Sequence, residues 1–171
     1  KESSMVKTMM LARKGEVDAV LSCGNTGAYY ASAMLFLKRI EGVEKSCLMA
    51  MMPTYSDNKV AMLDVGANSE NTAEQLKSFA IMGNAYAKNV LKITNPKIAL
   101  LNIGSEHHKG DEIHQETYKL LEDMQEINFV GNIEGKEILD GEVDVVVTDG
   151  FTGNVALKTI EGVAKVLVKS L

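Results

Sequence analysis

The sequence predicts an α/β fold of three layers, α/β/α, on a mixed but mostly parallel sheet. Three observations carry that expectation. Short β-rich runs alternate with longer segments of helical period, the pattern of right-handed crossover units. Two of the runs, Val143-Asp144-Val145-Val146-Val147 and Ile98-Ala99-Leu100-Leu101, are nearly continuous in apolar character, as strands covered on both faces are. One connection is too short for a parallel crossover, so two strands must be antiparallel neighbours.

In chain order, helical period predicts a helix over 3–14, and a β-rich run predicts a strand over 18–22. A helix over 26–39 comes next, then strands over 46–51 and 60–65. Little more than Pro53-Thr54-Tyr55-Ser56-Asp57-Asn58-Lys59 separates those two, where a crossover needs about a dozen residues. The next helix, 72–91, carries an apolar stripe of Leu76, Phe79, Ala80, Gly83, Ala87 and Val90. Thr72 and Gln75 stand at its start with the spacing of a capping box. Strands over 97–102, 128–131 and 143–148 and helices over 112–126 and 154–170 complete the alternation. No repeat, low-complexity tract or linker interrupts it, so 1–171 reads as a single α/β domain.

Composition narrows the function classes. The chain has 171 residues, 46% hydrophobic and 24% charged, which is enough to bury a core and excludes a disordered tail. Eighteen Lys and Arg against 23 Asp and Glu leave a net charge of -5, the wrong sign for a dedicated nucleic-acid binder. Cys23 and Cys47 make no disulfide framework and point to a reducing, cytoplasmic setting. Both lie in apolar runs and read as small buried hydrophobes. No run is long enough to span a membrane. The helical pattern starts without an initiator Met, and Leu171 stops another in mid-stride, so a fragment truncated at both ends is expected.

The segments just after four of the strands are more informative. They are Ser22-Cys23-Gly24-Asn25-Thr26-Gly27-Ala28, Asp64-Val65-Gly66-Ala67-Asn68, Asn102-Ile103-Gly104-Ser105-Glu106-His107-His108-Lys109-Gly110 and Asp149-Gly150-Phe151-Thr152-Gly153-Asn154. Ligands of open α/β sheets bind outside the carboxyl ends of the strands. Glycines allow close backbone approach, helix starts favour negative charge, and Lys109 adds a positive one, so these loops suit an anion. Each loop alone is equally well an ordinary βα turn with an N-cap residue; four on one edge favour binding. Gly24-Asn25-Thr26-Gly27 is not a dinucleotide fingerprint, and no phosphate-loop or nucleophile-elbow motif occurs. His107, His108 and His114 lack the companions a metal site needs.

Taken together, the strings resemble the PlsX family of phosphate acyltransferases. The matching pieces are Ser3-Ser4-Met5-Val6, Gly24-Asn25-Thr26-Gly27-Ala28, Leu63-Asp64-Val65-Gly66-Ala67-Asn68 and Ala80-Ile81-Met82-Gly83. They continue with Leu101-Asn102-Ile103-Gly104, Lys109-Gly110, Phe129-Val130-Gly131-Asn132-Ile133-Glu134-Gly135 and Asp149-Gly150-Phe151-Thr152-Gly153-Asn154. They run in family order over the whole chain. The resemblance implies an isopropylmalate dehydrogenase-like fold and an enzyme of bacterial phospholipid synthesis. Such an enzyme moves a fatty acyl group from acyl carrier protein to inorganic phosphate, giving acyl phosphate. It implies a homodimer with no metal or nicotinamide requirement. It also implies peripheral contact with the inner membrane face, and a downstream acyltransferase as a further partner.

The residues and the resemblance agree on a phosphate-sized anion that attacks the thioester directly. On that reading Lys109 binds and neutralises phosphate. Asn154, at the last helix start, donates to phosphate or the oxyanion alongside the Gly153 backbone. Asn25, Thr26 and Gly27 hold phosphate or the phosphopantetheine end, and Gly24, Gly104 and Thr152 belong to the same loops. Asp64 and Asn68 fix the loops, with Asp64 placed to orient Lys109. Lys158, Lys165 and Lys169 line one face of the last helix against Ile160, Val163, Leu167 and Leu171. That face suits an anionic membrane or an acidic carrier, or equally a helix packed on the sheet with its lysines in solvent. The rival readings are a phosphotransacetylase-like enzyme using acyl-CoA, a nicotinamide-dependent hydroxyacid dehydrogenase, and a non-catalytic module binding phosphate or a partner. The dehydrogenase lacks the arginine cluster that a substrate carboxylate would need.

Overall fold

A computed structural model describes residues 3–56 and 58–171. Lys1 and Glu2, at the start of the chain, and Asp57, in the predicted antiparallel connection, lie outside the described residues. The chain forms two compact units, 1–46 and 47–171.

The first unit holds two helices, α1 (Ser4–Arg13) and α2 (Thr26–Phe36), packed on each other. Ser3 caps α1 through its hydroxyl, which accepts the Val6 N–H at 3.4 Å. Asn25 caps α2 through its side-chain oxygen on the Ala28 N–H at 2.9 Å. The expected strand over 18–22 is absent. Leu21 is 90% exposed, and the Val20 carbonyl accepts the Tyr29 hydroxyl at 2.9 Å instead of a ladder partner. A short apolar run such as Ala19-Val20-Leu21 has no strand to form where no neighbour offers a ladder. α2 also stops three residues before expectation, since Lys38 turns into the left-handed region with φ 68°.

The second unit is a five-stranded sheet with helices on both faces. Its elements are β1 (Met49–Pro53), β2 (Lys59–Leu63), α3 (Ala73–Asn89), β3 (Lys97–Asn102), α4 (Glu112–Glu122), β4 (Asn128–Glu134), a 3-10 turn (Gly135–Glu137), β5 (Val145–Val147) and α5 (Gly150–Ser170). The strand order is β1-β2-β5-β3-β4. β1 and β2 are antiparallel, as the short connection requires, and every other pairing is parallel. β1 starts and ends later than expected, because its ladder begins at Met49↔Leu63 and runs to Pro53↔Lys59. A proline is tolerated there because β1 is an edge strand.

Alternation along the central strands divides the core in two. Ala61, Leu63, Ile98, Leu100, Val145 and Val147 face Leu76, Phe79, Ala80 and Ala87 of α3 and Leu121 of α4. Val60, Met62, Ala99, Leu101 and Val146 face the other way, against Ala156, Leu157 and Ile160 of α5. Both faces are therefore buried, which is why these strands read as continuous apolar runs. The α3 stripe is buried as expected except at Val90, which is exposed and ends the helix. The Thr72–Gln75 capping box is formed in both directions.

Candidate functional site

β2, β5 and β3 lie side by side and parallel, so the loops leaving their carboxyl ends share one edge of the sheet. Three of the four loops picked out in the sequence leave from this edge. The fourth, Gly24-Asn25-Thr26-Gly27, belongs to the first unit, where Gly24 donates its N–H to the Ser22 hydroxyl at 3.1 Å. Asn25 spends its side-chain oxygen on the α2 cap, and all four residues are exposed.

After β2, Asp64 is fully buried, and its carboxylate organises the loop. One oxygen accepts N–H groups from Leu48 at 2.9 Å, Gly66 at 3.2 Å and Ala67 at 3.0 Å. The other accepts the Asn68 N–H at 2.9 Å and the Asn68 side-chain amide at 2.8 Å. A buried charge is tolerable when it is hydrogen-bonded in this way. Asp64 and Asn68 thus fix the loop. Lys109 is paired not with Asp64 but with Glu106, at 3.8 Å.

The strand-to-helix joint after β5 differs from the expected loop. Asp149 caps α5 by accepting the Thr152 N–H at 2.8 Å, so Gly150-Phe151-Thr152-Gly153 is the first turn of the helix. The Gly153 N–H donates to the Asp149 carbonyl at 2.9 Å. It is therefore spent within the helix, and Asn154 stands beyond the first turn rather than at the helix start. Both glycines serve close packing. A Cβ on Gly150 would lie 2.2 Å from the Asn68 carbonyl oxygen, and one on Gly153 would lie 1.9 Å from that of Asp64. The helix start can press against the 64–68 loop only without those side chains. Asn154 then lies over Gly66, with its Oδ1 3.3 Å from the position of a Gly66 Cβ.

After β3, Lys109 sits on a tight turn whose N–H to Glu106 carbonyl bond is 3.1 Å. Asn102, at the strand end, holds the Lys109 carbonyl through its amide at 3.0 Å. Asn132 of β4 holds the Glu106 carbonyl at 2.8 Å. Gly104 lies beneath, since a Cβ there would meet Glu106 Oε2 at 2.9 Å and Lys109 Cγ at 3.0 Å. Gly110 has φ 87°, and a Cβ on it would collide with Asn102 Oδ1 and His114 Cβ, both at 2.7 Å. Asp111 caps α4 on the His114 N–H at 2.9 Å. That backbone bond, aided by the His114 ring, holds the Asp111 carboxyl below its ordinary value.

Between this turn and α5 is a cavity of about 350 Å³. Leu101, Ile103, Val155 and Ala156 give it apolar walls, and Asn102, Asp111, His114 and Thr152 give it polar ones. Gly110, next to Lys109, is also at its wall. The predicted residues therefore group as Asp64, Asn68, Gly153 and Asn154 at one joint and Gly104 and Lys109 at the next, with Thr152 on the cavity between. Glu106 and Gly66, inside two of the loops, and Asn132, on β4, also belong to these joints, although no role for them is evident from the sequence. For Asn132 the available signal was the preceding Gly131, a glycine inside a strand pattern, which marks a bulge.

The fold is that of phosphotransacylases. A phosphotransacetylase from Streptococcus pyogenes superposes with a TM-score of 0.67 at 18% identity, over 94% of this chain and 55% of that one. One from Staphylococcus aureus gives 0.66 at 20% identity, over 94% and 56%. The family described as fatty acid synthesis protein matches residues 1–171, and the chain belongs to it. A phosphate acyltransferase from Lactococcus lactis is 50% identical over 171 residues, covering all of this chain and 52% of the relative. Another, from Pediococcus pentosaceus, is 48% identical and is covered over 49% of its length. The chain spans about half the length of the curated relatives it matches.

Proposed function

We propose that the protein carrying this chain transfers a fatty acyl group from an acyl carrier protein thioester to inorganic phosphate, yielding acyl phosphate for phospholipid synthesis. The observation that best supports this is the placing of Lys109 on a turn beside a cavity with apolar walls, on one sheet edge. Lys109 lies on a turn pinned by asparagines, and the next residue reaches a cavity walled by Leu101, Ile103, Val155 and Ala156. An anion and an acyl chain need those two environments side by side. The name phosphate acyltransferase, borne by relatives about half identical to this chain, points the same way.

In the reaction, a phosphate oxygen attacks the thioester carbonyl carbon, the new C–O bond forms, and the C–S bond then breaks. The proton of hydrogen phosphate passes to the departing thiolate, so acyl phosphate and the carrier thiol are the products. Phosphate is anionic at neutral pH, so the protein's task is to orient it and to stabilise the charge on the carbonyl oxygen. Lys109 neutralises phosphate, and the Asn154 side-chain amide donates to phosphate or the oxyanion. Thr152 and Gly104 shape the site, while Gly153 brings α5 onto the Asp64 loop. Gly24, Asn25, Thr26 and Gly27 are assigned to phosphate or the phosphopantetheine end.

The same reading extends to a homodimer, to peripheral attachment at the inner membrane face and to hand-over to a downstream acyltransferase. Its support is α5, which is exposed from Glu161 onward and carries Lys165 and Lys169 beside Val163, Val166 and Leu167. Among the described residues no helix is long and apolar enough to cross a membrane.

The test is phosphate-dependent consumption of acyl carrier protein thioester by the full-length protein, with acyl-CoA as the competing donor. Lys109→Ala and Asn154→Ala are each expected to lower turnover about 100-fold or more while the protein remains folded. Near-normal turnover in both would overturn the assignment, and an acylated Cys23 would overturn direct attack.

A further inference from the structure

We infer that Asn132 is a positioning residue that sets the Lys109 ammonium for its anion, an inference that rests on the phosphate-binding reading of Lys109. Its placement begins with an irregularity of the sheet. β3 and β4 pair Ile98↔Phe129 and then Leu100↔Asn132, so β4 carries one residue more than β3 between those pairs. Gly131, with φ 98°, takes the backbone conformation that a side chain would resist. The bulge puts Asn132 opposite Leu100, the place that residue 131 would hold in a regular ladder.

There Asn132 is only 6% exposed, and its amide donates to the Glu106 carbonyl at 2.8 Å, across 26 residues of chain. The same carbonyl accepts the Lys109 N–H, and the Glu106 side chain is the partner of the Lys109 ammonium. Asn102 holds the other end of the turn at the Lys109 carbonyl. His107, inside the turn, packs its ring toward Tyr118 of α4 with centroids 6.4 Å apart. The turn is thus tied at both carbonyls to rigid strands, as a precisely placed charge requires.

A second observation concerns the other half of the amide. Asn132 Oδ1 is buried and has no hydrogen-bond partner among the described residues. An unpaired buried acceptor lowers stability, and an apolar residue of similar size would avoid that loss. The side chain is therefore suited to the single bond it makes to the Lys109 turn rather than to core packing. Asn84 on α3 has a similarly unpaired Oδ1, with its amide 3.5 Å from the Glu126 carbonyl, away from the Lys109 turn. It serves as the control.

The experiment uses the full-length protein. Binding of inorganic phosphate is measured by calorimetry, and KM for phosphate and for the acyl donor by steady-state kinetics. Asn132→Ala and Asn132→Ser are expected to weaken phosphate binding and raise its KM about tenfold, with the donor KM within about twofold. The double variant Asn132→Ala with Lys109→Ala is expected to bind phosphate no worse than Lys109→Ala alone, because one residue acts through the other. Asn84→Ala, matched for loss of melting temperature, is expected to leave both KM values unchanged. Additive losses in the double variant, or an unchanged phosphate KM in folded Asn132→Ser, would overturn the positioning role while leaving Lys109 as the phosphate ligand. Normal phosphate binding in Lys109→Ala would overturn both.

Discussion

At Cys47 the thiol is half-buried in the second unit and within reach of the Asp64 charge. Burial first, and then that carboxylate, push it up to about 12. The fold therefore favours the protonated thiol. The stability this contributes is present below the ordinary thiol range and is lost as pH rises through about 12. Cys23 is exposed, against the expectation of two buried hydrophobes. Because the thiolate is the reacting species, iodoacetamide at about pH 8 is expected to alkylate Cys23 much faster than Cys47. Peptide mapping over a time course reads the two rates separately, and faster labelling of Cys47 would contradict its burial.

The seating of α3 on the sheet depends on one glycine. A Cβ on Gly83 would lie 2.5 Å from Val145 Cγ1 and 3.2 Å from Leu63 Cδ2. Alanine is the better helix former by about 1 kcal/mol, but crowding a packed core costs about 1–3 kcal/mol. The second effect wins, so Gly83→Ala is expected to lower stability by about 1 kcal/mol. Gly162 on α5 is the opposite case, since nothing lies within 4 Å of a Cβ there. Gly162→Ala is expected to raise stability by about 0.5–1 kcal/mol. Urea denaturation of both variants checks the pair, and equal signs would show that helix propensity rather than helix–sheet contact governs Gly83.

For the molecule as a whole, the proposed site makes phosphate a ligand of the folded state alone. Such a ligand at a hundredfold excess over its dissociation constant adds about 2.7 kcal/mol to stability. Inorganic phosphate is therefore expected to raise the melting temperature of the full-length protein by several degrees, and Lys109→Ala to flatten that dependence. Stabilisation without any acyl transfer would mark a binding module, and no stabilisation would remove phosphate as the ligand. A net charge of -5 does not oppose such a site, because Lys109 acts locally on its own turn.

Much of the second unit was legible because its signals are local. β3 falls on residues 97–102 as expected, since an apolar run bounded by Asn95-Pro96 and Asn102 leaves little choice. The α3 stripe and its capping box were equally plain, and the short connection dictated an antiparallel β1–β2 pair. Residues 18–22 misled because their β-rich composition says nothing about whether a neighbouring strand is available. In the candidate site, the amino-acid pattern is enough to place Lys109 and Asn154 in Gly-rich segments beside strand ends. What those residues meet follows from how the folded chain packs. Packing spends the Gly153 N–H inside α5, gives Lys109 to Glu106 rather than Asp64, and brings the Asn132 amide to the Glu106 carbonyl of the Lys109 turn through the Gly131 bulge. The reason is physical: local pattern sets strand, helix and turn, whereas a hydrogen bond across 26 residues exists only once β3 and β4 have paired.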